Sequence, residues 1–589
     1  MKNFIINVLA TLTGLILYSF VFFFLSIGII GIIAALGGNQ EVRIKPNSIL
    51  HLNFKSEIVD RASDNNLDLT PMLYGEESAI GLNEIIESLE RAKTDPNIIG
   101  VFIDNESINA GIATISEIRN AITDFKTSGK FVYAYGDNMS QASYYLASSA
   151  DKISINPYGN LVFKGLQASV TYYKDALDKL GVEMQIFRHG KFKSAVEPYM
   201  LKKMSDENRL QYEVLLSSIW NQMLDEISAS RNISKKQLNE IADNYSAYNV
   251  LNAHQLGLVD YLKYRSEVLN ELAETSGAEN ADNLNLVSIK KYAKAKPATL
   301  VKGQQIAVIY ASGQIDYQQS QYNSEARITP SKYVEAISKA CSDSSVKAIV
   351  LRVNSPGGDA LASEIICNEV ARASQVKPVV VSMGDYAASG GYYISCAANK
   401  ILADAGTLTG SIGVFGISPN VKKLANDKLG INVEVVSTNN MTDLGSVFRQ
   451  ATDQERDVIQ TSVENIYNTF VHRVSSGRKM AYANVDEIGQ GRVWNGLDAK
   501  RLGLVDEIGD LSDAIAEAAA MANLKNYSLL ELPKQEDGLE AIMKMLGEEV
   551  FVHKIESELG EFHKSAKFIN SIIQAKGVQA ILEDNITIY

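Results

Sequence analysis

Two short loops in the second half of this chain hold the residue types that acyl-transfer chemistry requires. One reads Asn354-Ser355-Pro356-Gly357-Gly358 and the other Ala388-Ser389-Gly390-Gly391. Glycines let backbone N–H groups approach a substrate closely, and a serine on the first turn of a helix sits near its positive dipole end. A hydroxyl beside such amides suits a nucleophile next to an oxyanion hole. Each loop also has an ordinary reading, since SPGG forms a tight turn and Ala-Ser-Gly-Gly packs closely between helix and strand. A serine nucleophile further needs a base. The six histidines (His51, His189, His254, His472, His553, His563) show no recognisable Ser-His-Asp spacing, with His189 the nearest rival. Lysine is the alternative, but at its reference pKa of about 10.4 only about 0.04% is neutral at pH 7. Apolar burial must lower that value by several units. Spacing alone does not choose among the lysines.

A duplication makes the loops informative. FVYAYGDNMSQASYYLASSADKI around Gly136 returns as VVVSMGDYAASGGYYISCAANKI around Gly384, 248 positions later. The same offset lays GVFIDNESINA (100–110) over AIVLRVNSPGG (348–358), and LGLVD occurs at both 256–260 and 502–506. Self-similarity on this scale fixes two homologous domains. Where the second copy has its glycine loops, the first has Glu106-Ser107-Ile108-Asn109-Ala110 and Ser140-Gln141-Ala142-Ser143. Duplicated domains share packing residues, so these differences mark chemistry.

The elements that must position the loops follow from apolar patterning. VKAIVLRV (346–353) and VVVSM (379–383) are nearly continuous apolar runs, as in strands buried on both faces. Ala362, Ile365, Ile366, Val370 and Ala373 recur at helical spacing between them, and a second helix is predicted from near Ala387 through Tyr392 and Ile394. Strand–helix alternation implies an α/β class built of βαβ units on parallel sheets. Both loops then fall at the carboxyl ends of adjacent strands, where open sheets bind ligands.

The whole chain excludes several classes. Its 589 residues carry a formal charge of −13 without a basic block, which argues against nucleic acid as a partner. Cys341, Cys367 and Cys396 make neither a disulfide framework nor a metal spacing, and no HExxH occurs, so no metal site is expected. Phe4–Leu36 is free of charge and exceeds the roughly 20 residues that cross a bilayer as a helix. An uncleaved transmembrane anchor is the expectation, since a secretory signal has an apolar region of only about 7–15 residues. Lys2 before it and Arg43 and Lys45 after it nearly balance, so the charges barely choose an orientation. The expected organisation is an anchor (1–40), a first repeat (41–275), a polar linker (276–303), a second repeat (304–530) and a charged amphipathic helical extension (531–589) suited to partner contacts.

Four motifs in order, GKFKSAVEPY (190–199), VNSPGG (353–358), MGDYAASGGYYIS (383–395) and TLTGSIGVFG (407–416), resemble the signal peptide peptidase A (protease IV) family. The resemblance is to its long, membrane-anchored bacterial form, with tandem repeats of the Clp protease/crotonase-like fold. It implies a serine protease with a Ser/Lys dyad and no cofactor. By motif, Ser389 is the nucleophile, Lys193 the general base and Ser411 the group that orients the lysine amine. The N–H groups of Gly358 and Gly390 match the oxyanion hole. Gln141 then stands where the first repeat would hold a nucleophile, and Met441 approximately where the second would hold a base. The resemblance also implies remnant signal peptides as substrates and a homo-oligomer, a tetramer in the family. It implies lipid contact through the N-terminal helix, as a single-pass protein of the bacterial cytoplasmic membrane with its catalytic domains on the periplasmic side. Two other classes compete. A crotonase-type acyl-CoA enzyme needs neither Ser389 nor an anchor, and a non-catalytic scaffold on a decayed protease conflicts with intact motifs. Whether Ser389 meets Lys193 within one chain is not written in the sequence.

Overall fold

The apolar runs become parallel strands sandwiched between helices. The computed structural model describes residues 42–62, 78–295, 303–318 and 327–535, the strands 578–581 and 586–587, and scattered helical positions between 6 and 24. The expected anchor and most of the C-terminal extension therefore lie outside the described residues. Among those described, no helix is long and apolar enough to cross a membrane.

The first repeat contributes β1 (Ser48–Leu52), β2 (Ile98–Asp104), β3 (Phe131–Gly136), β4 (Lys152–Ile155), β5 (Glu183–His189), β6 (Tyr261–Leu262) and β7 (Leu286–Ser288). The second contributes β8 (Gln305–Ser312), β9 (Gln314–Ile315), β10 (Arg327–Ile328), β11 (Val346–Ser355), β12 (Gly357–Asp359) and β13 (Val379–Ala388). It continues with β14 (Lys400–Ala403), β15 (Leu408–Gly410), β16 (Val414–Asn420), β17 (Val493–Asn495), β18 (Glu507–Ile508) and β19 (Ser528–Leu532), and β20 (Val578–Ile581) follows.

The duplication is explicit in the sheets. The first has the order β7-β1-β2-β3-β4-β6 and the second contains the order β19-β8-β11-β13-β14-β18, all neighbours parallel. Leu286–Ser288 is thus a strand of the first sheet, which corrects the reading of 276–303 as a linker. A further sheet, β10-β9-β12-β20-β16-β5, takes strands from both repeats. Here β5 leaves the first repeat and pairs antiparallel with β16 along its length, Val414 opposite His189 and Asn420 opposite Glu183.

Helix α1 (Ile112–Lys126) of the first repeat packs against the second. Its Thr114 N–H and hydroxyl donate to Asp385 at 3.0 and 2.6 Å, and its Ser116 hydroxyl donates to Asp404 at 2.8 Å. Arg352 on β11, fully buried, donates to Asp60 at 2.8 Å and to Glu117 at 2.6 Å, both from the first repeat. Burial lifts the Glu117 carboxyl to about 8, while Arg352 outweighs burial at Asp60 and holds it below the ordinary carboxylate value. One guanidinium balances one carboxylate, and the second stays protonated because a buried excess charge is costly.

Of the C-terminal extension, expected to be helical, 536–577 lies outside the described residues; Leu532 closes β19 against β8, and 578–581 and 586–587 pair with strands.

Candidate active site

Ser389 stands at the end of β13, immediately before helix α2 (Gly390–Ser395). The helix was expected from near Ala387. It begins at Gly390 because Tyr386, Ala387 and Ala388 stay in the sheet, paired with Leu408, Thr409 and Gly410. The chain then turns sharply, leaving Ser389 at φ 54° and ψ −113°, a region that non-glycine residues rarely occupy. The Ser389 N–H donates to the Gly410 carbonyl at 2.8 Å, and Tyr393 N–H donates to the Ser389 carbonyl at 2.8 Å. The hydroxyl is thereby projected from a strand–helix junction fixed on both sides, and the residue is fully buried.

The second glycine loop lies against this turn. A Cβ on Gly390 would come within 3.1 Å of the Gly358 nitrogen, so the two backbones are in contact. Gly358 has φ 155°, and a Cβ there would strike the Ile315 carbonyl oxygen at 1.9 Å. Only glycine fits a conformation that brings this backbone so near the serine turn.

Lys193 arrives from the other repeat, on the loop after β5. Its N–H donates to the Gly190 carbonyl at 3.4 Å, and the neighbouring Phe192 N–H donates to Gln490 at 3.0 Å. The amine lies 2.9 Å from Ser389 Oγ, 3.1 Å from Ser411 Oγ and 3.4 Å from the Ser411 carbonyl oxygen. Ser411 is itself held at φ 49°, with its N–H donating to Arg492 at 2.7 Å. Burial alone lowers the Lys193 pKa to about 7, with no charged neighbour contributing. The structure therefore brings Ser389, Lys193 and Ser411 together within one chain, with Gly358 and Gly390 beside them.

Other motif residues have structural partners. His189 pairs with Glu464 at 2.5 Å and stacks on Tyr467, with ring centroids 3.7 Å apart. The first repeat's counterpart of the nucleophile, Gln141, is buried with its amide oxygen accepting from Lys164 N–H at 2.9 Å and Gly165 N–H at 3.0 Å. By the 248 offset, Phe163 replaces Ser411 and fills the core there. That half of the molecule has closed the space where a second site would be.

Gly491 escaped the sequence reading. At φ 78° it passes so close to Lys193 that a Cβ would lie 2.7 Å from the lysine's N and Cβ. Gly413 similarly leaves room for Lys193 Cδ, at 3.2 Å from its own Cβ position. The only sequence signal was a glycine in the run Gly489-Gln490-Gly491, which by itself reads as a turn.

A duplicated α/β fold with a buried serine on a strained strand–helix turn, beside clustered glycine backbones, defines a hydrolase-type site. Residues 124–279 and 371–525 match peptidase family S49, one segment in each repeat. The chain belongs to this family and is a serine-type peptidase. It is 37% identical to Protease 4 of Salmonella typhi over 540 residues, covering 89% of this chain and 86% of that protein. It is 35% identical to Protease 4 of Haemophilus influenzae over 511 residues, covering 84% and 82%. Serine protease SPPA, chloroplastic, of Arabidopsis thaliana is 32% identical over 516 residues, covering 86% of this chain and 74% of that protein.

Proposed function

We propose that the chain is a Ser/Lys endopeptidase in which Ser389 attacks the peptide carbonyl and Lys193 removes its proton. The observation that carries this reading is the buried Lys193 amine, 2.9 Å from Ser389 Oγ, with a pKa lowered to about 7. A neutral amine has one lone pair, which accepts the serine proton, and two N–H groups, which donate to the hydroxyl and carbonyl of Ser411. Ser411 thus orients the base. The oxyanion forms beside the Gly358 and Gly390 N–H groups, and the lysinium protonates the leaving amine. Water then takes the amine's place, gives its proton to Lys193 and attacks the acyl-enzyme, releasing Ser389.

The substrates in this reading are unstructured apolar peptides, remnant signal peptides among them, cut outside the bacterial cytoplasmic membrane. The uncharged run Phe4–Leu36 supports anchoring there and lipid contact. A homo-oligomer is also proposed. Asp-Lys-Leu-Gly precedes β5 at 178–181 and recurs at 427–430, which makes the following residues the counterpart of β5. Yet 431–440 is exposed throughout, with Val433, Val435 and Val436 facing solvent. In one chain β5 crosses from the first repeat to the second. Its counterpart lies in no strand among the described residues, and the first repeat of a second copy would offer one to pair with.

The test of the dyad is direct. Ser389→Ala and Lys193→Ala are each expected to lower hydrolysis of an unstructured apolar peptide by at least about a thousandfold while leaving the circular dichroism spectrum unchanged. A serine-directed fluorophosphonate should label Ser389, and labelling should be lost in Lys193→Ala. Turnover retained in both variants overturns the dyad.

A further inference from the structure

The Lys193 loop and the Ser389 turn belong to different repeats, so contacts between the repeats must fix one relative to the other. On the serine side, the Ser389 N–H is held by the Gly410 carbonyl, and Gly410 is opposite Val493. The Ser411 N–H is held by the carbonyl of Arg492, one residue before Val493. Val493 lies on β17, which ends its sheet among the described residues, and its N–H donates to the side-chain oxygen of Gln211 at 2.8 Å.

Gln211 comes from the first repeat, on the helix Asp206–Arg231, and is buried. Because its amide oxygen accepts from Val493, its amide nitrogen is turned toward the lysine loop, where it donates to Ser194 Oγ at 3.4 Å. One buried side chain thus spans the residue after the base and the strand behind the nucleophile. The helix that carries it is tied to the same loop. Glu197, also buried, accepts from Ser205 Oγ at 2.5 Å, Ser205 N–H at 3.3 Å and Asn208 Nδ2 at 3.2 Å, all at the helix N-terminus. The sister repeat has an equivalent helix, Asp453–Arg478, and both are 26 residues long. With Asp206 laid over Asp453, Val458 takes the place of Gln211 and is 47% exposed. A packing role common to the repeats would keep the same residue in both, whereas the amide stands only where a lysine loop and β17 flank it.

We propose that Gln211 is a positioning residue that holds the Lys193 loop in register with the strand fixing Ser389 and Ser411. This rests on the Ser/Lys reading, which makes that register matter for the reaction. A misplacement of about 1 Å between reacting groups can cost about a hundredfold in rate.

The experiment compares the natural chain with Gln211→Met, Ser194→Ala and the double variant in hydrolysis of an unstructured apolar peptide, each kept below its Tm. Methionine matches glutamine in length but has no amide. Gln211→Met is expected to lower kcat at least about tenfold with KM within about twofold of the natural value. The midpoint of its pH–rate profile should rise above about 7, because a displaced amine is less enclosed. Ser194→Ala leaves the bond to Val493 in place and should lower kcat about threefold, and the double variant should be no slower than Gln211→Met. Natural kcat and midpoint in Gln211→Met overturn the proposal, as does a double variant whose loss is the product of the two single losses. Natural kcat in Ser194→Ala overturns it whether or not Gln211→Met folds. Fluorophosphonate labelling of the natural chain tests the catalytic reading separately. Absent labelling sinks the dyad, whereas normal labelling beside natural kcat in Gln211→Met sinks only the role of Gln211.

Discussion

At the scale of residues, the proposed mechanism depends on one amine kept out of water. Among the described residues no carboxylate pairs with the Lys193 amine, and burial alone brings its pKa to about 7. The base form is neutral, so kcat/KM should rise tenfold per pH unit below about 7 and level off above it. A pH–rate profile on a small peptide measures this. The stability consequence has the same origin. A lysine whose folded pKa lies below its unfolded value contributes stability that is fully present above the unfolded value and lost as pH falls through about 7. Lys193→Met, which cannot be protonated, should therefore have a higher Tm than the natural chain at pH 6, with a smaller difference at pH 9. Ser389 was legible because its loop differs from that of the sister repeat. Gly491 was not, because its role is a backbone contact across 298 positions and nothing local records it.

At the scale of elements, the apolar runs placed β11, β13 and the intervening helix Ala360–Ala373 closely. The missed helix start at Gly390 has a tertiary cause, since pairing with Leu408–Gly410 holds three further residues in β13. The same pairing creates the strained turn that presents the serine. Helix α1 illustrates a second gap. Its Glu117 looks in sequence like an ordinary solvated charge, yet it is buried against Arg352 of the other repeat. Its folded pKa of about 8 lies above the ordinary 4.5, so the folded chain holds the proton more tightly than the unfolded one. The resulting stability is full below about 4.5 and is lost as pH rises through about 8. Glu117→Gln keeps an acceptor for Arg352 without titrating. Its Tm relative to the natural chain should climb between pH 5 and about 8 and stay constant above pH 9, as thermal unfolding in a pH series would reveal.

At the scale of the whole molecule, the repeats are unequal partners in one site. The first supplies Lys193 through β5 and has filled its own counterpart space with Gln141 and Phe163. The second supplies Ser389 and leaves its counterpart of β5 exposed. If a second copy covers that segment, Val435→Asp/Val436→Asp should sediment as a monomer under conditions in which the natural chain is an oligomer. If Lys193 and Ser389 act as the proposed dyad, that monomer should still label with fluorophosphonate, because the two residues already meet within one chain.

The sequence by itself determined the duplication, the α/β class and the motif-bearing residues, because repeats, strand runs and motifs are local patterns that survive without coordinates. It could not decide that β5 crosses between repeats, that Lys193 reaches Ser389 in the same chain, or that Val578–Ile581 lies between β12 and β16. Those outcomes depend on contacts between residues about 200 positions apart, and on which sheet edges remain unpaired once the two repeats pack. The lowered lysine pKa belongs with them. The residue type sets a value near 10.5, and only the apolar enclosure assembled from both repeats brings it to about 7.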